Sequence, residues 1–308
     1  CRFGIHIVIT LPSGIVLQTL IEDLRTISWD AADILLNYSS LIPDPKYKTE
    51  LIKNHHNNDP VTKADLEVNE IIIKKINEKY KNVNWGILSE ENAKLDSFTK
   101  IENKDWLWVL DPLDGTRDFI QGSGNYAMHL ALNYKNKPFI GVVLIPEKNE
   151  LWRSDGSKVW SETREGEINN VEIKKKSCLK EMTVVMSKNH TNHILHDLIK
   201  KIGFKKVISM GSVGCKIASI LSGISDIYIS LSLPGKSAPK DWDFAAPEAL
   251  IKAAGGEITK LNNEELIYNN NKFEQRGLIV ATNSSESHKE ICDEIAKIIK
   301  KFDILPAS

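Results

Sequence analysis

The chain has 308 residues, of which 42% are hydrophobic and 26% charged, as expected of a folded protein large enough for two domains or one large α/β domain. Its 40 basic and 41 acidic side chains give a formal net charge of -1. This balance excludes the broad positive field of a protein that binds nucleic acid polymers. It is compatible with a small anionic substrate. None of the four cysteines stands at CxxC spacing, so the sequence has no zinc-ribbon or redox motif, and we expect a reducing, cytoplasmic compartment.

The N-terminal part is predicted to hold a tail, a long helix, a loop and a second helix. Residues 1–12 are interpreted as an ill-determined tail, because the chain starts with Cys and the apolar run Ile5–Thr10 is far shorter than the roughly 20 residues that span a bilayer. No membrane association is therefore expected. Apolar residues recur at helical spacing over Leu17–Tyr38, the polar stretch Leu41–Asn58 predicts a loop, and a second helix is predicted to begin near Asp65.

Short apolar runs that are typical of strands follow the second helix. Trp85–Leu88 is followed by Ser89, Glu90 and Glu91, and Trp106–Leu110 is followed by Asp111. Two later runs predict a β-hairpin. Beyond residue 175, short apolar runs alternate with helical stretches, which is the pattern of an α/β layer. We therefore predict a layered α/β fold, in which residues 13–175 form an N-terminal metal-binding α+β domain and residues 176–308 form a smaller C-terminal α/β substrate domain.

Four carboxylates occupy the positions where α/β proteins place ligand-binding groups. Glu90, Asp111 and Asp114 follow predicted strands, and Asp243 precedes an apolar helical stretch. Magnesium prefers oxygen ligands, and two such ions about 3.5–4 Å apart can hold both the attacking and the leaving oxygen of a phosphate displacement. Each acid alone has a structural interpretation, as a turn residue or, for Asp243, as a helix N-cap. Together they predict one metal-dependent site for phosphate-monoester hydrolysis.

The residues after Asp114 suggest how a phosphate could be bound. Gly115 has no side chain and would let a phosphate approach the backbone closely. If a helix begins there, its free N–H groups would face that phosphate, and the hydroxyl of Thr116 could position an attacking water.

At these residues the sequence resembles the inositol monophosphatase superfamily, the lithium-sensitive magnesium phosphatases. The resemblance runs from about Leu17 to the C-terminus and is carried by blocks in the order of the family: Asp59–Asp65, Glu90–Glu91, Trp108–Thr116, Trp242–Pro247 and Ala254–Gly256. It implies an αβαβα sandwich with a mostly antiparallel N-terminal sheet and a smaller C-terminal α/β domain.

The resemblance also implies roles for individual residues and a cofactor of two or three magnesium ions. Metal ligands would be the carboxylates of the four acids named above and the carbonyl of Leu113. Asp65 would help to hold a further metal or the nucleophilic water. Thr116 would activate that water together with Asp65 or Glu90, and water would attack the phosphorus directly without a phosphoenzyme.

Within the superfamily, two runs are similar to the 3′(2′),5′-bisphosphate nucleotidases of the CysQ type. These are Thr116–Ile120, which contains Arg117, and Ser187–His190. Lys216 lies near the position of a lysine that contacts the nucleotide in that subfamily. The resemblance implies hydrolysis of adenosine 3′,5′-bisphosphate to AMP and phosphate, as in sulfate assimilation, with substrate contacts from Gly115, Thr116, Arg117, Ser187, His190, Lys216 and Asp243.

The sequence also departs from that subfamily. The stretch from Gly211 to Lys216 is one residue longer than in its commonest form, and the arginine expected shortly after Tyr228 is missing. Lys236 or Lys240 could supply that charge instead. These differences leave the exact substrate open.

Two other functions are compatible with the sequence. The first is an inositol monophosphatase or a sugar phosphatase that resembles fructose-1,6-bisphosphatase. The second is a non-catalytic nucleotide or metal sensor, which would be expected to lack a metal-binding acid or Thr116, and the sequence retains all of them. In each case we expect a small phosphorylated ligand and a monomer or homodimer.

Overall fold

A computed structural model describes residues 9–42, 52–54, 60–95, 104–171, 173–188, 193–270 and 272–304. Most of the predicted tail, much of the predicted loop and His190 lie outside these residues. Within the predicted loop, however, β1 (Ile52–Asn54) pairs with β2 (Pro60–Thr62) as an antiparallel ladder, so the prediction of a continuous loop was wrong there. Among the helices so described, none is both long and apolar enough to cross a membrane.

Two N-terminal helices form the first layer of the fold. Helix α1 spans Leu17–Leu41 and α2 spans Lys63–Lys79, two residues earlier than the predicted start at Asp65. Each buries a stripe of apolar residues at helical spacing, and the two stripes pack together against a sheet. Each large apolar side chain buried in this way contributes about 1.5–3 kcal/mol.

The second layer is a seven-stranded sheet in the order β3-β4-β5-β6-β7-β8-β9. Its strands are β3 (Gly86–Ser89), β4 (Trp106–Asp114), β5 (Ala127–Tyr134), β6 (Lys137–Ile145), β7 (Glu150–Ser154), β8 (Val159–Glu162) and β9 (Ile168–Asn170). Only the β3–β4 pair is parallel, which confirms the mostly antiparallel sheet. Strand β4 continues to Asp114 rather than ending at Leu110 as predicted, and its register with β5 shifts between Asp111 and Asp114.

The C-terminal half contains a five-stranded sheet in the order β11-β10-β12-β14-β13. Its strands are β10 (Thr183–Ser187), β11 (Lys206–Met210), β12 (Ile227–Ser232), β13 (Glu257–Lys260) and β14 (Gly277–Thr282). The remaining helices are α3 (Glu90–Ala93), α4 (Thr116–Gln121), α5 (His193–Ile202), α6 (Val213–Leu221), α7 (Asp241–Ala253) and α8 (Ser285–Phe302).

Three hydrophobic cores separate the layers. One lies between α1, α2 and the seven-stranded sheet, the second encloses α6 and α7 between the two sheets, and the third lies between the five-stranded sheet and helices α5 and α8. Gly141 on β6 lets α7 pack closely, since a Cβ atom there would lie 2.6 Å from the carbonyl oxygen of Ala246. The predicted αβαβα sandwich is confirmed, whereas the domain boundary near residue 175 stays a prediction.

Candidate active site

A cleft of about 1040 Å³ lies where the β3–β4 edge meets the N-terminal ends of α4, α6 and α7. Every predicted site residue that the structure describes lines this cleft: Asp65, Glu90, Asp111, Leu113, Asp114, Gly115, Thr116, Arg117, Ser187, Lys216 and Asp243. These residues come from widely separated parts of the sequence. The fold therefore brings them together, while their individual roles stay predictions.

The first group of carboxylates consists of Asp65, Glu90 and Glu91. One oxygen from each lies within 4.8 Å of the other two. Asp65 is in the first turn of α2, and the two glutamates begin α3 directly after Ser89, whose hydroxyl caps that helix by accepting the N–H of Asn92. The end of β3 thus places Glu90 at the cleft, whereas Glu91 is buried beside it.

The second group consists of Asp111, Asp114 and Asp243, with one oxygen from each again within 4.8 Å of the others. The register shift in β4 allows both aspartates to face the cleft, and Asp111 accepts the N–H of Leu113 at 3.0 Å. Asp243 accepts the N–H of Lys240 at 2.5 Å, so it does form the helix-capping contact considered above. The same side chain thus caps α7 and contributes to the cleft.

Burial and mutual repulsion dominate the electrostatics of the two groups. Burial, followed by the neighbouring carboxylates, raises the pKa of Asp65, Asp111 and Asp243 well above the usual range. Such a set of crowded oxygen donors is what a hard divalent cation prefers, because the cation removes the repulsion. The donor chemistry therefore fits magnesium, with Leu113 able to add a carbonyl oxygen.

The turn after Asp114 has the geometry that the sequence suggested. Gly115 adopts φ +88°, and a Cβ atom there would lie 3.1 Å from the carbonyl oxygen of Asn125 and 3.2 Å from the nitrogen of Ser212. Glycine is favoured at this position because it tolerates both the positive φ and the close approach. The hydroxyl of Thr116 donates to the Leu113 carbonyl at 3.1 Å and so has a fixed orientation in the cleft.

Asp114 is held in place by contacts with Ser212, Val213 and His129. Its carboxylate accepts the hydroxyl of Ser212 at 2.8 Å and the N–H of Val213, and it lies 3.3 Å from Nε2 of the fully buried His129. Nε2 of His129 accepts the N–H of Gly214 at 3.1 Å, and burial lowers the pKa of the ring, so we infer a neutral imidazole. Ser212 has φ +36°, a strained backbone conformation that these contacts stabilise.

We expect Gly214→Ala to destabilise the protein by about 2 kcal/mol and to lower its activity. A Cβ atom there would lie 2.3 Å from Nε2 of His129 and 2.7 Å from Val143, both in the core. Overpacking of this kind costs about 1–3 kcal/mol, and the ring of His129 is fully buried. The higher helix propensity of alanine offsets at most about 1 kcal/mol of this cost, because the position is near the helix end.

Thermal unfolding and phosphate release measure these two effects. The control is Ser222→Ala at the other end of α6, because its hydroxyl bonds only to the helix carbonyls of Ala218 and Ser219. Equal melting temperatures for Gly214→Ala and the wild type would contradict the packing argument.

Cationic and polar side chains line other parts of the cleft. Arg117 is exposed, Ser187 is half-buried, and Lys216 is buried with its ammonium 3.1 Å from the Ser212 carbonyl and above the ring of Tyr228. Burial lowers the pKa of Lys216, although Asp114 opposes that shift. Lys240 is committed to Glu274 at 3.2 Å, so Lys236, exposed on the loop after β12, is the better candidate for the missing arginine charge.

Several residues of the site were not singled out by the sequence interpretation. Lys94 bonds to both glutamates of the first group, and His129 and Ser212 support Asp114. A lone histidine within the apolar strand β5 and a serine before the helical run at Val213 were signals for two of them. No comparable signal exists for Lys94, because surface lysines at helix ends are common.

Several known enzymes are similar to this chain in sequence. The chain is similar to 3′(2′),5′-bisphosphate nucleotidase CysQ of Buchnera aphidicola, with 28% identity over 68% of this chain and 75% of the relative. The enzyme of the same name from Escherichia coli K12 is 28% identical over 68% of this chain and 80% of its own length. That of Aggregatibacter actinomycetemcomitans is 29% identical, covering 71% and 78%.

Solved structures share the fold at lower sequence identity. The extragenic suppressor protein suhB from Bartonella henselae superposes with a TM-score of 0.70 at 20% identity, covering 92% of this chain and 99% of that one. Inositol monophosphatase-II from Staphylococcus aureus gives 0.70 at 21% identity, covering 93% and 96%. Residues 17–300 match the family model described as Inositol monophosphatase family. The chain therefore belongs to the inositol monophosphatase family, as its sequence motifs predicted.

Proposed function

We propose that this protein is a magnesium-dependent phosphomonoesterase that hydrolyses adenosine 3′,5′-bisphosphate to AMP and phosphate. The observation that carries the proposal is the convergence of two groups of carboxylates on one cleft beside the Gly115–Thr116 turn. A non-catalytic role would not require so many like charges to be buried together, since each raises the pKa of its neighbours. Membership of a phosphatase family supports the same reaction class.

The carboxylates would hold the magnesium ions, with the Leu113 carbonyl as a further oxygen ligand. Magnesium bound there would neutralise charge on the phosphate and lower the pKa of a water molecule. Of the two groups, Asp111, Asp114 and Asp243 face the start of α4, where the phosphate would lie. Asp65 and Glu90 line the same cleft, where they could hold the attacking water.

The side chains of the cleft then account for the proton movements. The hydroxyl of Thr116, oriented by its bond to Leu113, can accept a hydrogen bond from the water, and Glu90 or Asp65 can take the proton. Attack of the water oxygen on phosphorus breaks the P–O ester bond. The leaving ribose oxygen takes up the proton that the water gave to the carboxylate, directly or through solvent, and the products are an alcohol and inorganic phosphate.

The nucleotide assignment is supported by the cationic side chains of the cleft and by the relatives. Arg117, Lys216 and Lys236 line the same cleft as the carboxylates, so a substrate with a second phosphate would find positive charge beyond the metal-binding end. The three relatives compared above by sequence are bisphosphate nucleotidases, which favours this substrate over inositol or sugar phosphates.

A substrate panel tests the proposal directly. Phosphate release would be measured with purified protein and magnesium on adenosine 3′,5′-bisphosphate, inositol 1-phosphate and fructose 1,6-bisphosphate, each with and without lithium. We expect the highest kcat/KM for the nucleotide and inhibition by lithium. A higher kcat/KM for inositol 1-phosphate would replace the nucleotide assignment, and no hydrolysis of any phosphate ester would contradict the phosphatase assignment.

We expect Lys216→Met to raise KM for adenosine 3′,5′-bisphosphate by roughly tenfold or more, because a charge-assisted contact to phosphate would be lost. Methionine keeps the length of a side chain that is only 3% exposed, so the core should remain packed. KM for p-nitrophenyl phosphate, which has no second phosphate, should change little. Lys240→Met is the matched control, since Glu274 already pairs with that lysine; equal losses for both substrates would contradict the assigned role.

A further inference from the structure

Lys94 makes an unusual pair of contacts inside the candidate metal centre. Its ammonium lies 2.8 Å from Oε1 of Glu90 and 2.9 Å from Oε1 of Glu91. The spacing explains the contacts, because residues three and four positions apart lie on the same face of a helical turn and α3 begins at Glu90. A positive charge is therefore held directly on two carboxylates of the first group.

The ammonium contacts two of the three carboxylates that a divalent ion would be expected to bind. The two glutamates and Asp65 lie within 4.8 Å of one another, and Lys94 lines the same cleft. Among the residues that the structure describes, no other lysine or arginine forms an ion pair with Glu90 or Glu91. The side chain of Lys94 is 36% exposed, whereas those of Glu90 and Glu91 are 23% and 6% exposed, so the lysine has the freest access to solvent of the three.

We infer that Lys94 is an internal counter-cation that competes with a divalent ion for Glu90 and Glu91 and thereby weakens metal binding at the Asp65–Glu90–Glu91 group. This inference rests on the proposed function, which assigns metal to the cleft. With Lys94 in place, part of the carboxylate charge is already neutralised, and a divalent ion must compete with both ion pairs for these carboxylates. The residue would thus set the divalent-ion concentration at which this part of the site fills.

A different role for the same contacts would have the opposite consequence. If Lys94 only oriented the two glutamates for a metal, its removal would leave them misplaced and would weaken metal binding. If it acted only through its general positive field, then removal of any other cation at the cleft would have the same effect. Lys188, an exposed lysine that also lines the cleft, serves as the matched control for that field.

The experiment is calorimetric titration of metal-free protein with MgCl2 in the absence of substrate. Lys94→Met is expected to lower the Kd for the weakest resolved site by roughly tenfold or more, since a unit charge about 3 Å from the carboxylates is removed. Lys94→Arg, which keeps the charge, should behave like the wild type, and Lys188→Met should change Kd by less than about threefold. Lys94→Gln is a second neutral variant in case Lys94→Met does not fold, and thermal unfolding without metal shows which variants are folded.

The outcomes separate this inference from the proposed function. Unchanged or weaker binding by both neutral variants overturns the inference and leaves the phosphatase assignment intact. An equal decrease in Kd for Lys188→Met also overturns it, because the general positive field of the cleft would then explain the effect. Tighter binding by a protein that hydrolyses no phosphate ester would support the inference and contradict the function. An absence of magnesium binding in the wild type and in every variant would overturn the metal centre together with the inference.

Discussion

Asp111→Asn is expected to lower the rate of phosphate release by at least about a thousandfold, which corresponds to ~4 kcal/mol of transition-state stabilisation. The metal-free protein should become more stable at the same time. Asp111 is 1% exposed, and burial and the charges of Glu90, Asp114 and Asp243 raise its pKa. A neutral amide removes that repulsion and can still accept the N–H of Leu113 through its oxygen, so the turn should persist. The metal, however, would lose a carboxylate ligand.

Kinetics with magnesium and thermal unfolding without it measure these opposite effects. Asp105→Asn is the matched control, because Asp105 is exposed immediately before β4 and has no contact with the cleft. The control should leave both quantities near those of the wild type. Undiminished turnover by Asp111→Asn would contradict the assignment of the second carboxylate group to the metal centre, and a strongly destabilised variant would show that the charge is structural.

Sequence patterns predicted the layers well because each layer depends on local periodicity. The stripe along α1 and the short apolar runs of the five-stranded sheet repeat at the spacing of a helix or a strand, and burial on one face fixes those elements. The end of β4 was mispredicted for a physical reason. Asp111 and Asp114 look like loop residues, but the register shift keeps this polar segment paired with β5 while its carboxylates face the cleft.

The convergence of the acids was predicted from their positions and from family motifs, whereas the support around them was not. His129 contacts Asp114 because β4 pairs with β5, and it contacts Gly214 because one shared core brings β5 and α6 together. Likewise, the short segment at Lys94 reads as an ordinary helix end until Glu90 and Glu91 are placed in a cleft. Contacts of this kind depend on tertiary packing, which local patterns do not specify.

Stabilisation of the protein by magnesium is expected to increase as the pH rises from 5 to 8, by several degrees in melting temperature. Burial and neighbouring charges raise the pKa of Asp65, Asp111 and Asp243 above the model-compound value of 3.8. Between that value and the raised pKa, the folded chain binds more protons than the unfolded chain, so these groups make metal-free protein less stable as pH rises. Magnesium binds in place of those protons, so its stabilisation of the folded protein increases as the carboxylates lose them at higher pH.

Buried His288 changes the stability of the protein with pH in the opposite direction, so its contribution has to be separated from that of the carboxylates. Burial lowers the pKa of His288 from 6.5 to about 4, and the stability that this group contributes therefore increases as the pH rises between those values. Melting curves of the wild type and Asp111→Asn with and without magnesium cancel the histidine contribution, since it is common to both proteins. The pH dependence of the magnesium effect should be smaller in the variant, because one proton-binding carboxylate of the cleft is gone. A magnesium effect that did not depend on pH in the wild type would mean that the carboxylates are already ionised without metal. Cations of the chain itself would then have to balance their repulsion, and Lys94, which pairs with Glu90 and Glu91, and Lys216, which acts on Asp243, are placed to do so.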